Sequence, residues 1–64
     1  MQVNGKDIAL EKSQTLEEFL KNNNYVVGRI VIELNGEIVS KEKYNTINLK
    51  DTDVMEVLTF VGGG

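Results

Sequence analysis

Two Asn-Gly dipeptides constrain the fold of this chain more tightly than any other feature. Asn4-Gly5 and Asn35-Gly36 each stand between apolar segments. A two-residue hairpin loop needs positive φ at both central positions, which Asn tolerates and Gly adopts freely. Each dipeptide therefore predicts a pair of antiparallel strands. Around the first, Val3, Ile8 and Leu10 give a hairpin over Met1 to Leu10, with Ile8 and Leu10 inward and Ala9 outward. Around the second, Ile30, Ile32 and Leu34 alternate with Arg29, Val31 and Glu33, and Glu37-Ile38-Val39 returns.

The segment between the hairpins carries a helix signature. Thr15-Leu16-Glu17-Glu18 is a capping box, in which the Thr15 hydroxyl accepts from the Glu18 amide and the Glu18 carboxylate reaches back to Thr15. Glu17 and Glu18 also face the positive end of the helix dipole, which explains them better than acid–base catalysis does. Leu16, Phe19 and Leu20 share one face. Asn22-Asn23-Asn24 ends the helix, since Asn accepts a left-handed terminus. Tyr25 to Gly28 reads as strand or bend, with Gly28 at a bend or bulge. Ser40 to Lys50 reads as a loop anchored by Tyr44, Ile47 and Leu49, with one helical turn near Lys41 to Tyr44. Val54 to Val61 is the last strand, with Met55, Val57 and Thr59 on one face and Val54, Glu56, Leu58 and Phe60 on the other. The order strand, strand, helix, strand, strand, loop, strand predicts an α+β fold, a mixed five-stranded sheet with one helix packed across one face.

Length limits what such a fold can hold. At 64 residues the chain is one domain, and a core of that size seldom supplies more than ~3–5 kcal/mol. With no cysteine and no histidine, disulfides and the usual zinc sites are excluded. Asp51 and Asp53 flank a turn but fall far short of a calcium loop, so no metal site is expected. A net charge of −3 argues against nucleic acid as a partner. No apolar run approaches a membrane span, and Met1-Gln2-Val3-Asn4 lacks the basic start and apolar run of a signal peptide.

What stands out is the end of the last strand, where Phe60-Val61 runs straight into Gly62-Gly63-Gly64. The expected division is a domain over residues 1–61 and a flexible glycine tail over 62–64. Glycines lie extended in a slot that admits only backbone, and Gly62 to Gly64 reach at most ~11 Å. The Gly64 α-carboxylate is then the best candidate for chemistry. A carboxylate is a poor electrophile, so a partner must activate it, the usual way being adenylation by ATP. An inert, frayed glycine end is the competing reading of the same residues. Leu58, Phe60 and Val61 are the partner-docking candidates beside the tail, because exposed apolar residues in a patch mark contact surfaces. Glu56 lies on the same face, where it is either solvated or paired with a partner's arginine. Arg29 reads as a solvated cation and Tyr44 as a core anchor.

The whole chain resembles the ThiS family of sulfur carriers, which have the ubiquitin-like β-grasp fold. The resemblance rests on Met1-Gln2-Val3-Asn4-Gly5, on Thr15 to Leu20, on Ile32 to Val39 and on Asp53 to Val57 followed by Phe60-Val61-Gly62-Gly63-Gly64. Two turns depart from the family pattern. Asp51-Thr52-Asp53 stands where the family often has Asp-Gly-Asp, and Ser40-Lys41 where it often has Pro-Arg. A Thr52 at positive φ would be strained.

The resemblance implies a cytoplasmic carrier and co-substrate, not an enzyme, with no bound cofactor. A ThiF-like enzyme would adenylate Gly64 at the expense of ATP. Sulfur from a cysteine desulfurase would convert the terminus to a thiocarboxylate, and a ThiG-like thiazole synthase would take that sulfur for the thiazole ring of thiamine. Gly62 and Gly63 would thread the active sites. Two neighbouring readings use the same activation: a MoaD-like carrier for molybdopterin, and a ubiquitin-like modifier joined to lysines. A binding module with an inert tail is the reading from another class.

Overall fold

The computed structural model describes residues 1–60. Five strands and one helix form it: β1 (Gln2–Val3), β2 (Lys6–Asp7), α1 (Leu16–Asn22), β3 (Ile30–Leu34), β4 (Glu37–Val39) and β5 (Val54–Thr59). Both Asn-Gly turns form as expected. Asn4 and Gly5 have φ of 51° and 83°, and Asn35 and Gly36 have φ of 52° and 87°. The sheet order is β2-β1-β5-β3-β4. β1 runs parallel to β5, and every other pairing is antiparallel. The last strand of the sequence is thus the middle strand of a mixed sheet.

The helix packs on one face of that sheet. Leu16, Phe19 and Leu20 join Val3, Ile32 and Met55 in a single apolar core. The capping box is present in full. The Glu18 amide donates to Thr15 Oγ1 at 3.1 Å, and the Thr15 amide donates to Glu18 Oε1 at 2.8 Å. At the other end the Tyr25 amide donates to Leu20 O at 2.9 Å, and Asn24 takes φ of 64°. Seven residues cannot sustain a helix on their own. Here the Ser40–Lys50 loop supplies what is missing. The Leu16 amide donates to Ile47 O at 2.9 Å and the Glu17 amide to Tyr44 O at 3.0 Å, so first-turn amides are satisfied from a distant segment. Tyr44 is buried beneath that loop, as expected of an anchor.

Several boundaries differ from the sequence reading. The first hairpin was expected to continue to Leu10, but its strands are two residues each; Ile8 and Leu10 still pack against the core while Ala9 is exposed. Val27–Arg29 is a 3₁₀ turn in which the Arg29 amide donates to Val26 O at 2.9 Å, so β3 starts one residue later than the alternation suggested. The helical turn expected near Lys41 to Tyr44 does form, as a 3₁₀ turn over Lys41–Lys43 capped by Tyr44. Thr52 is not strained: the non-glycine residues with positive φ among those described are Asn4, Asn24 and Asn35. β5 ends at Thr59. The proposed boundary at residue 61 lies outside the described residues.

Candidate functional site

The site is built around β5. Its inward side chains, Met55 and Val57, are buried against the helix layer. Period-two alternation then forces Val54, Glu56 and Leu58 onto the opposite, open face. Two asparagines pin this strand to the turns beside it. Asn4 Oδ1 accepts from the Val57 amide at 2.7 Å, and Asn35 Oδ1 accepts from the Val54 amide at 2.9 Å. The backbones of the same residues add to the ladder, with the Asn4 amide donating to Met55 O at 2.9 Å and the Asn35 amide to Val54 O at 2.7 Å. Beyond the strand, the Phe60 amide donates to Arg29 O at 3.2 Å, which ties residue 60 to the start of β3. Residue 60, the last described, is thus held on the β3 side of the strand.

The open face carries a set of exposed apolar side chains. Leu58 is 53% exposed and Phe60 40%, as the alternation predicted, and Val54 at 48% and Ile38 at 64% are exposed as well. Val31 sits directly opposite Leu58 across the β3–β5 ladder. Sequence reasoning singled out Leu58 and Phe60 and the structure brings them to one face. Val61, Gly62, Gly63 and Gly64 lie outside the described residues. Val54 is exposed on this face as the alternation placed it, whereas Ile38 was missed as a member. The hairpin register at Asn35-Gly36 would have placed Ile38 beside Glu33 on that side. Glu33 was missed as well; it stands opposite Glu56 in the same ladder. No local signal reports that pair, because it depends on pairing between strands distant in sequence.

The rest of the molecule offers little competition. Among the described residues no group of three His, Cys, Asp or Glu side chains could hold a metal ion. Asp53 is buried, but its carboxylate accepts from Asn35 Nδ2 at 3.0 Å and from the Lys50 amide at 2.9 Å, which accounts for it structurally. A groove of about 540 Å³ lies on the helix side, lined by residues including Ile8, Leu10, Gln14 and Phe19, away from the open face. Among the described residues no helix is long and apolar enough to cross a membrane.

Comparison with known proteins decides the family. The ThiS family model matches residues 1–64. The chain belongs to the ThiS family. This ThiS-family chain is 38% identical over 65 residues to the sulfur carrier protein ThiS of Bacillus subtilis, covering 100% of this chain and 98% of that one. The crystal structure of the thiamine biosynthesis protein ThiS from Geobacter metallireducens superposes with a TM-score of 0.82 at 33% identity, over 98% of this chain and 96% of that one. That match bears out the expected β-grasp fold. The chain is also 32% identical over 62 residues to a thiazole synthase of Paramagnetospirillum magneticum, covering 97% of this chain but 19% of that enzyme.

Proposed function

We propose that this chain is the sulfur carrier of thiamine biosynthesis and that the carboxylate of Gly64 is its attachment point. The observation that carries the reading is the family match over the whole of residues 1–64, the glycines included. The open face supports it, since an exposed apolar surface stands beside the strand that leads to those glycines.

In this reading the chain supplies position and a partner supplies the chemistry. A Gly64 carboxylate oxygen attacks the α-phosphorus of ATP bound to a ThiF-type enzyme, and pyrophosphate leaves. A desulfurase takes the sulfur from cysteine as a protein persulfide, a thiol reductant brings it to the sulfide level and is itself oxidised to a disulfide, and the reduced sulfur adds to the acyl carbon of the adenylate. AMP leaves with the C–O bonding pair, and a thiocarboxylate remains. A thiazole synthase of the ThiG type then takes the sulfur, and the resemblance to part of a thiazole synthase chain supports that association. The chain contributes no catalytic group and retains no cofactor. It has no cysteine or histidine of its own to intercept the acyl-adenylate. Gly62 and Gly63 thread the partner's slot because no side chain obstructs them. Leu58, Phe60 and Val61 dock the domain outside it. The place of the reaction is the cytoplasm, where ATP and cysteine-derived sulfur are supplied.

The test is the intact mass after incubation with a ThiF-type enzyme, ATP and a sulfur source. Exchange of oxygen for sulfur nearly coincides in mass with oxidation of Met1 or Met55, so the thioacid is trapped by alkylation. The wild-type chain gains an alkylatable group, and a chain lacking Gly64 gains none. Equal alkylation of the two would overturn the assignment.

A further inference from the structure

The open face sets two like charges side by side. Glu33 on β3 and Glu56 on β5 are register partners. Both point to the open side, because Ile32, Met55 and Val57 beside them are buried. Residues directly opposite in an antiparallel pair have Cβ atoms about 4.5–5.5 Å apart, and like charges there are destabilising. A single cation between them would remove the repulsion, yet none is supplied. Among the described residues the only ion pair joins the Met1 ammonium to Asp51 at 3.9 Å. Around the two carboxylates the face is apolar instead, with Ile38 next to Glu33 in the β3–β4 register and the Val31–Leu58 pair adjacent.

We infer that Glu33 and Glu56 form the seat for an arginine of the protein that docks on this face. The inference rests on the open face being the docking surface. The required partner chemistry follows from the surroundings. Phosphate-bearing ligands and anionic membranes would meet a third negative charge. An ammonium is compact and strongly hydrated, and loses more on entering an apolar setting. A guanidinium is planar and weakly hydrated, and its fork of donors reaches two carboxylates at once while its flat faces lie against aliphatic side chains. The occupant is therefore a folded partner that presents one arginine amid aliphatic contacts to Leu58, Val31 and Ile38. The free carrier holds two glutamates apart at some loss of stability, and the complex relieves it.

The experiment compares wild type, the double variant Glu33→Gln/Glu56→Gln and the single variant Leu58→Ser. Thermal unfolding is measured on each free chain, and binding to a thiazole synthase at low and high salt. Neutralising the pair raises the Tm of the free chain by about 2–6 °C, since a 60-residue domain converts small free-energy changes into shifts of that size. The same change weakens binding by about tenfold or more at low salt and abolishes most of its salt dependence. Leu58→Ser weakens binding at both salts. If the glutamine pair binds like wild type while Leu58→Ser does not, the arginine seat is wrong and the docking face stands. If neither change alters binding, or wild type itself does not bind, the docking face is wrong and the seat falls with it.

Discussion

At the scale of single residues, Asn4 and Asn35 each do two things. Their backbones take the positive φ of a tight turn, and their side chains bond to amides of β5. The first role is legible in any Asn-Gly pair. The second is not, because Asn4 and Val57 are 53 residues apart and nothing local reports their contact. Asn35 has a further duty: its Nδ2 donates to the buried carboxylate of Asp53. Asn35→Asp replaces that donor with a second carboxylate. The variant is expected to lose about 1–3 kcal/mol at neutral pH, because the buried Asp53 carboxylate loses a donor and gains a like charge at the exposed position 35. The deficit shrinks on acidification, because a proton on one of the two facing carboxyls turns the repulsion into a hydrogen bond. Urea unfolding at neutral and at acidic pH checks both statements, and a pH-independent loss would rule out the mechanism.

At the scale of elements, the pieces that the sequence marks locally are the ones that form where expected. The capping box, the buried face of α1 and the left-handed Asn24 need only neighbours within a few residues. Thr15→Ala should lower stability by about 1 kcal/mol and Tm by about 4–8 °C, measured by thermal melting. What the pattern does not show is support between elements. The 3₁₀ turn at Val27–Arg29 stays ambiguous in the sequence because Val26 and Val27 favour strand while Gly28 favours a bend. The bonds from Leu16 and Glu17 to the Ser40–Lys50 loop are invisible because carbonyls carry no residue signature. The site divides the same way. Alternation alone exposes Leu58 and Phe60, whereas the meeting of Glu33 and Glu56 requires the long-range register of β3 against β5.

At the scale of the whole molecule, one buried group ties the fold to pH. Burial pushes the Tyr44 hydroxyl above its ordinary value of 10.0, partly opposed by a backbone hydrogen bond with Ile32. A raised value in the folded state means the neutral phenol favours folding. Its contribution is complete below 10.0 and is lost as pH climbs through the folded value. Denaturation midpoints should fall in the alkaline range, and fall less in Tyr44→Phe, which cannot ionise; parallel curves for the two chains would exclude Tyr44 as the cause. The placement of β5 has a consequence of another kind. It is the middle strand, bonded to β1 on one side and β3 on the other. Hydrogen bonds between strands lie across the strand axis. Tension applied at residue 60 along that axis therefore loads both ladders in shear, all bonds together, instead of peeling them one by one. Such a strand resists being drawn out, so the domain keeps its shape under a pull from the end that leads into the glycines.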